Sequence, residues 1–342
     1  MPASDGATRP SGPLPPPPSG RVVALGEALL RLTTPGQDRL EQAAGLYIGV
    51  GGAELNALIG LAQLGYATRF VTRLPDNPLG RRVAMHTSAF GVDVLADWEA
   101  GGRLGLYFVE PGVPPRPTEV HYDRAGSAAA GLAPGRIDWA SALGDAICLH
   151  GTGITCALGA DPEATVLEAY AAARERGVTT SFDVNHRSRL WTAEAAVAAY
   201  RRVLPLADVV FASPQDLALV LGREGEPEAL AGGLRTEFGA RVVVVKRNLA
   251  ADAGRVAVAV TAVDGSGAVA GEAAVAEPVD PFGGGDASAA GFLAAHLAGA
   301  GLREAADIAA RACAHMHTIP GDSWVVRPGE LTAGADGRRI LR

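Results

Sequence analysis

The chain has 342 residues, of which 48% are apolar and 20% are charged, and its formal net charge is −7. This composition excludes a disordered chain and provides enough apolar surface for one large α/β core. A negative surface gains nothing from counterion release, so nucleic acid and anionic membranes are excluded as partners and a small molecule is expected instead.

The composition of the first residues gives no expectation of export. Residues 1–20 are rich in Pro, Gly and Ser and lack both the basic start and the apolar stretch of a signal peptide, which predicts a disordered N-terminal tail. No later segment supplies 18 unbroken apolar residues, so no membrane span is predicted and the cytoplasm is the expected location. The cysteines, Cys148, Cys156 and Cys313, are widely spaced, which favours buried free thiols over a disulfide framework or a zinc site.

The first third of the chain predicts two strands, two helices and a small flap. An apolar run at 22–25 predicts the first strand, residues 53–64 a helix, 68–72 a strand and 78–90 a helix. The segments at about 30–50 and 102–124 alternate in polarity without a helical period, as strands of an exposed lid would.

From residue 146 onward, strands and helices alternate. Strands are predicted at 146–150, 179–183, 209–212 and 241–246, with helices near 161–177, 193–204 and 227–239. An edge hairpin at 256–263 and 268–275 and helices near 286–299 and 302–316 follow. This order predicts one α/β domain over residues 21–342, with a doubly wound, mostly parallel sheet flanked by helices and a small β lid.

The segment 279–292, VDPFGGGDASAAGF, is typical of a phosphate site with a base beside it. Its glycines, Gly283, Gly284 and Gly285, allow backbone N–H groups to turn toward one point, and the following helix adds free N-terminal donors. Asp286 in the first turn is placed to accept a proton from a hydroxyl beside the phosphates, and the helix end is expected to depress its pKa. The alternative is a glycine-rich turn in which Asp286 is an ordinary helix cap.

Two other segments end in side chains suited to a sugar. Gly51 and Gly52 open a helix that contains Asn56. Asn is unfavourable within a helix unless its side-chain amide has a hydrogen-bond partner, and a sugar hydroxyl is the indicated partner. The alternative is a tolerated surface Asn. The strand at 179–183 runs into DVNHR, at the edge where α/β sheets bind ligands. There Arg187 suits phosphate or carboxylate oxygens and Asp183 and Asn185 suit water, metal or sugar, while a solvated loop is the alternative.

Several other kinds of site are excluded by their missing motifs. The chain has no GxxxxGK[ST] run, no GxGxxG after a strand and no GxSxG, which excludes a Walker-type site, the usual dinucleotide site and a serine hydrolase. The pair His315 and His317 is too closely spaced for a helical zinc site.

Three segments in this order, GGAELNALIGLAQLG, DVNHR and DPFGGGDASAAGFL, resemble the ribokinase-like (PfkB) carbohydrate kinases. The resemblance runs from about residue 21 to the C-terminus. Within that family the chain looks most like 2-keto-3-deoxygluconate kinases, on the segments GEALLRLTTPG, RLPDNPLG, GLYFVEPGVPPRP, YDRAGSA, GTGIT, DVNHRSRLW and HTIPGD.

The resemblance implies the ribokinase-like fold and an ATP-dependent kinase in which Mg²⁺ bridges the terminal phosphates. It implies Asp286 as the base and the amides from Gly283 to Asp286 as the anion hole, with Arg187 at the transferred phosphate. The implied sugar contacts are Gly51, Gly52, Asn56, Tyr107 and Arg124, alongside Asp183 and Asn185. The implied ATP contacts are Lys246, His317, Ser213 and Asp216, and Asp280 matches a monovalent cation position, here K⁺.

The chain departs from the family pattern at three positions. Ser213 and Asp216 stand in place of an N-x-x-E motif, so Asp216 is expected to act through water. Val109 stands where some archaeal and thermophilic relatives have an arginine for the substrate carboxylate, and Arg116 or Arg124 is the expected replacement. Met316 stands where close relatives often carry lysine.

The expected reaction is transfer of phosphate from ATP to the terminal primary hydroxyl of 2-keto-3-deoxygluconate, which gives 2-keto-3-deoxy-6-phosphogluconate. One alternative keeps this chemistry with a neutral sugar such as fructose or ribose, and another is a non-catalytic sugar sensor. The lid strands have apolar faces and exposed edges, so a homodimer joined through the lids is expected.

Overall fold

The computed structural model describes residues 14–251, 254–271 and 274–331. Of the N-terminal tail predicted over residues 1–20, residues 1–13 lie outside the described part of the chain, and Leu14 packs against the core.

The strands and helices alternate along the chain much as expected. The strands are β1 (Arg21–Leu25), β2 (Leu29–Thr33), β3 (Tyr47–Gly51), β4 (Ala67–Pro75), β5 (Val92–Glu99), β6 (Gly105–Glu110), β7 (Glu119–Asp123), β8 (Ala146–Thr152), β9 (Thr179–Asp183), β10 (Val209–Ala212), β11 (Val242–Ala250), β12 (Val256–Asp264), β13 (Gly267–Ala270) and β14 (Ala274–Ala276). The helices are α1 (Ala53–Gln63), α2 (Pro78–Ala89), α3 (Trp139–Ala142), α4 (Gly153–Cys156), α5 (Ala160–Glu175), α6 (Ala193–Val203), α7 (Pro214–Leu221), α8 (Pro227–Phe238), α9 (Gly284–Leu297) and α10 (Leu302–Met316).

The main sheet is doubly wound and mostly parallel, as predicted. Its strands follow the order β13-β12-β11-β10-β9-β8-β1-β4-β5, and β14 pairs with β12. Neighbours from β5 to β11 are parallel, whereas β12 is antiparallel to β11, β13 and β14. The carboxyl ends of the parallel strands therefore share one edge, where polar side chains from distant segments meet.

Helices cover both faces of this sheet because its strands are apolar on both faces. Leu58 of α1, Phe292 of α9 and Ile308 of α10 belong to one apolar cluster. Tyr170 of α5 and Leu234 of α8 belong to the cluster on the other face. Burial of these two layers fixes the first turns of α1 and α9 against the sheet edge.

A second sheet of four strands has the order β3-β2-β6-β7. It is formed by the two segments for which lid strands were predicted. The pairs β2·β3 and β6·β7 are antiparallel, and the central pair β2·β6 is parallel. Two insertions that are distant in sequence therefore meet in one sheet over the edge of the main sheet.

The described ranges contain no helix whose length and apolarity would carry it across a bilayer. Cys148, Cys156 and Cys313 are buried free thiols, as predicted.

Candidate active site

A cavity of about 1130 Å³ lies between the second sheet and the carboxyl edge of the main sheet. Asn56 of α1, Arg187 of the loop after β9 and Asp286 of α9 line it from the main domain. Tyr107 of β6 and Tyr122 of β7 line it from the second sheet, where their rings stack with centroids 5.7 Å apart. A concave site of this size, with a few convergent polar groups, is typical of small-molecule binding.

The start of α9 leaves its backbone donors open. Gly283 is the N-cap, with the left-handed φ of 70° that favours glycine, and no side chain caps the helix. Gly284 lies close to the next helix, since an added Cβ would come 2.4 Å from Nε2 of His317 and 3.0 Å from Sγ of Cys313. The free N–H groups and the positive helix end make this turn an anion site beside Asp286.

The expected depression of the Asp286 pKa is wrong. Burial raises the pKa of Asp286 to about 7, and the hydrogen bond from Asn56 and the charge of Arg187 only partly oppose this. Asp322 and Glu54 add to the increase. Desolvation of the carboxylate by the surrounding protein atoms outweighs the helix dipole. A carboxyl group that titrates near neutrality is well matched to general base catalysis.

Asn56 contacts the predicted base directly. Its Nδ2 donates a hydrogen bond of 2.7 Å to Oδ2 of Asp286, and its Oδ1 is buried without a partner among the described residues. Gly52 allows α1 to begin close to the loop after β1, since an added Cβ would lie 2.4 Å from the carbonyl oxygen of Glu27. The amide therefore orients the carboxylate and offers a free acceptor to a hydroxyl of a ligand.

The loop after β9 adds opposed charges to the same edge. Asp183 accepts the backbone N–H of Asn185, which adopts a left-handed φ of 40° that Asn tolerates. Burial, together with the charges of Asp216 and Asp286, raises the pKa of Asp183 to about 8. Arg187 is exposed and its side chain has no hydrogen-bond or ion-pair partner among the described residues, so its guanidinium is free to bind a ligand anion.

Two of the residues expected to contact the substrate are engaged within the protein. Tyr107 is buried and donates its hydroxyl to Oδ2 of Asp322 at 2.5 Å. Gly51 lies against this pair, since an added Cβ would come 2.3 Å from the Tyr107 hydroxyl. Arg124 lines the cavity but pairs with the buried Glu27.

The expectation that Arg116 replaces a missing carboxylate ligand is wrong. Arg116 pairs with Glu110 at 2.7 Å and donates to the backbone oxygen of Gln37, and it does not line the cavity. Val109 is fully buried. The positive charge of Arg116 is therefore used by Glu110 and is not offered to the cavity.

The residues predicted for the nucleotide lie at the same edge of the main sheet. Lys246 is half-buried at β11, and its charge acts on Asp183 and on His317. His317 is buried behind Gly284, so it supports the anion site from inside. Ser213 caps α7, and its backbone N–H and hydroxyl both donate to Oδ2 of Asp216.

The carboxylate predicted to bind K⁺ is already paired with an arginine. Arg31 of β2 donates to Oδ2 of Asp280 at 2.6 Å, and the backbone N–H groups of Phe282 and Gly321 also donate to this carboxylate. A guanidinium thus stands where the cation was expected, and the donor set does not fit K⁺.

The residues missed by sequence reasoning are Glu27, Arg31 and Asp322. Each lies in a segment that carries the family resemblance, GEALLRLTTPG or HTIPGD, but nothing local assigns it a contact. Arg31 and Asp322 are hydrogen-bonded across 291 positions, so only the fold shows the pair.

Comparison with known proteins identifies the family. The model described as pfkB family carbohydrate kinase matches residues 19–322. The chain belongs to this family.

Named relatives of this carbohydrate kinase include kinases of 2-keto-3-deoxy sugar acids. It is 34% identical to a 2-dehydro-3-deoxygalactonokinase of Haloferax volcanii over 95% of this chain and 97% of the relative. It is 32% identical to a 2-dehydro-3-deoxygluconokinase of Thermoproteus tenax over 88% of this chain and 90% of the relative. The crystal structure of a 2-dehydro-3-deoxygluconokinase of Thermotoga maritima superimposes with a TM-score of 0.87 at 33% identity, covering 92% of this chain and 98% of that chain.

Proposed function

We propose that this carbohydrate kinase transfers phosphate from ATP to the terminal primary hydroxyl of 2-keto-3-deoxygluconate. The observation that carries the proposal is the Asp286 carboxylate, oriented by Asn56 at the uncapped start of α9 and facing the cavity. The epimer at C4, 2-keto-3-deoxygalactonate, is a second candidate because the Haloferax volcanii relative is named for it.

In the proposed reaction Asp286 accepts the proton of the sugar hydroxyl. Oδ2 of Asp286 is occupied by Asn56, which leaves Oδ1 to face the hydroxyl. A pKa of about 7 means that the carboxylate is partly ionised at neutral pH and that its protonated form is stable enough to follow the transfer. Positioning of the hydroxyl contributes more than basicity, because phosphoryl transfer passes through a loose transition state.

Charge on the transferred phosphate meets two kinds of donor. The amides at the start of α9 and the guanidinium of Arg187 both border the cavity that Asp286 lines. Donors fixed in place before the reaction stabilise developing charge strongly, about 3 to 4 kcal/mol for an oxyanion-hole donor.

The proposed phosphate donor is ATP, lying along the edge next to Lys246 and the 313–322 segment. Mg²⁺ fits this edge as an ion carried by the nucleotide, because Asp183 and Asp216 offer carboxylates there. Burial raises the pKa of Asp183, and the charge of Asp216 adds to this increase. No cluster of three or more metal-binding side chains occurs in the described ranges, so the phosphates and water would supply most ligands. When bound, the ion would neutralise phosphate charge.

Recognition of the substrate carboxylate is assigned to the loop after β9. Arg189 lines the cavity and has no carboxylate partner among the described residues, whereas Arg187 is already assigned to the transferred phosphate. Arg189 donates to the backbone oxygen of Val120 in β7, so this loop also contacts the second sheet. A planar guanidinium suits a carboxylate, but that of Arg124 is already paired within the protein, so it is the less suitable ligand.

The proposal is tested by measuring ADP release with ATP, Mg²⁺ and a panel of sugars. We expect kcat/KM for 2-keto-3-deoxygluconate or its C4 epimer to exceed that for fructose and ribose by at least about 10²-fold, since a neutral sugar has no carboxylate to pair with Arg189. Preference for a neutral sugar would contradict the acid-sugar assignment. Sugar-dependent thermal stabilisation without ATP consumption would favour the sensor.

A further inference from the structure

A buried ionic cluster connects the second sheet to the loop that leads into α9. Arg31 donates through Nη2 to Asp280 at 2.6 Å and through Nη1 to Asp322 at 3.0 Å. Tyr107 donates to the same oxygen of Asp322. The side chains of Arg31, Asp280 and Asp322 are only 5%, 11% and 8% exposed, so water screens their charges little.

Asp280 connects the loop before α9 to the loop after α10. Its carboxylate accepts the N–H of Phe282 at 3.3 Å and that of Gly321 at 2.9 Å. The backbone N–H groups of Val279 and Asp280 donate to the carbonyl oxygen of His317. Displacement of the Asp280 side chain would therefore disturb both loops that border the anion site.

Arg31 also reaches the residue before the N-cap of α9. Its guanidinium carbon lies 4.7 Å from the centre of the Phe282 ring, and its Nε donates to Oγ1 of Thr33 at 2.9 Å. Each guanidinium nitrogen thus has an acceptor, and the plane is fixed. Gly283, the N-cap of α9, follows Phe282, so the contact of Arg31 with Phe282 fixes the position at which α9 begins.

The charge of Arg31 is needed in this cluster. Among the ion pairs of the described residues, Arg31 is the only cation on either Asp280 or Asp322. Burial alone would lower the pKa of Arg31, but the two carboxylates raise it above its usual value, so the group stays charged. Without it, two buried carboxylates would face each other uncompensated.

We propose that Arg31 is a positioning residue that supplies the positive charge at Asp280 from within the chain, keeps the anion hole of α9 in shape and makes turnover independent of monovalent cations. The inference rests on the proposed function, in which this anion hole binds the transferred phosphate. A second cation at Asp280 would be repelled by the guanidinium 2.6 Å away.

The wild-type protein tests the first consequence without any substitution. Turnover is measured with chloride salts of K⁺, Na⁺ and tetramethylammonium at equal ionic strength. We expect the three rates to agree within about twofold, since ionic strength alone then acts. A rate in tetramethylammonium at least tenfold below that in K⁺ would overturn the proposal.

Substitution of Arg31 tests the second consequence. Arg31→Ala is expected to lower kcat/KM for ATP by about 10²-fold, comparable with the loss of one anion-hole donor. Added K⁺, or guanidinium at millimolar concentration far below unfolding conditions, should restore part of this rate because the cavity left by the side chain retains two carboxylates. Arg31→Lys should keep more activity than Arg31→Ala, since it keeps a charge.

Arg136→Ala is the matched control, because Arg136 pairs with Asp97 at 2.6 Å outside the cavity. It should leave the rate and its cation response unchanged. If Arg31→Ala melts cooperatively like the wild type and loses no activity, or if neither cation restores a lost rate, the proposal is wrong.

A binding measurement separates this inference from the proposed function. The affinity for a non-hydrolysable ATP analogue with an imido bridge between its β- and γ-phosphates is measured by calorimetry for wild type and Arg31→Ala, with and without guanidinium. Weakened binding of this analogue that guanidinium restores would support the role of Arg31 even if no sugar on the panel is phosphorylated. Equal affinity for the analogue in both proteins would overturn it.

Discussion

The proposed chemistry depends on the carboxylate of Asp286. Asp286→Asn keeps an acceptor for Nδ2 of Asn56 and removes only the ability to take a proton. We expect kcat to fall by about 10²- to 10⁴-fold, the usual contribution of a general base. The melting temperature and the sugar-induced thermal shift should persist.

Asp264→Asn is the control for this change, because Asp264 bonds to Ser266 in an exposed turn. Near-normal turnover by Asp286→Asn would reject Asp286 as the base.

The pH dependence of the reaction tests the environment of the same group. The pKa of Asp286 is raised to about 7, and only the ionised form accepts a proton, so kcat/KM should rise with pH and level off above about 7. Asn56→Leu removes the donor that lowers this pKa, and its acid limb should lie at higher pH. Asn77→Ala, which alters the cap of α2, should leave the pH of the acid limb of kcat/KM unchanged. A wild-type limb near pH 4 would contradict the buried environment of Asp286.

At the scale of elements, two adjacent glycines in the first turn of α9 differ in the space around them. Gly284→Ala brings a Cβ to 2.4 Å from His317, whereas Gly285→Ala meets nothing within 4 Å. We expect Gly284→Ala to lose about 1 to 3 kcal/mol of stability through overpacking and to weaken ATP binding. Gly285→Ala should melt at or above the wild-type temperature because alanine favours a helix. Thermal melts and KM for ATP measure both effects, and equal stability of the two variants would contradict this packing.

Elements with a strong local pattern were predictable from sequence. The glycine run before α9 and the polar residues after β9 follow from turn chemistry and from the rule for strand ends. The edge strand β5 was missed because charged residues alternate through it, and the eight-residue α7 was missed because it is short.

Contacts that depend on the packed fold were not predictable. The pairing of Arg31 with Asp280 joins residues 249 positions apart. The sign of the Asp286 pKa shift depends on burial by segments distant in sequence, which outweighs the local helix dipole. The candidate base and anion site could therefore be proposed from sequence, whereas the contacts between the site residues required the structure.

At the scale of the whole molecule, the second sheet exposes apolar side chains on β3. Tyr47 is 68% exposed and Ile48 is 50% exposed. We keep the prediction that two copies pair through their second sheets, since exposed edges of this kind favour association. Light scattering should give the mass of a dimer for the wild type and a lower mass for Ile48→Lys. A monomeric wild type at micromolar concentration would contradict it.

The whole account depends on the acid sugar entering between the two sheets with its terminal hydroxyl at Asp286. The most direct measurement is ³¹P NMR of the products formed from ATP and 2-keto-3-deoxygluconate, with the galactonate epimer in a parallel reaction. We predict a phosphomonoester at C6 of at least one acid, formed in step with ADP and absent with Asp286→Asn. Intact ATP with both acids, or phosphate at another carbon, would contradict the account.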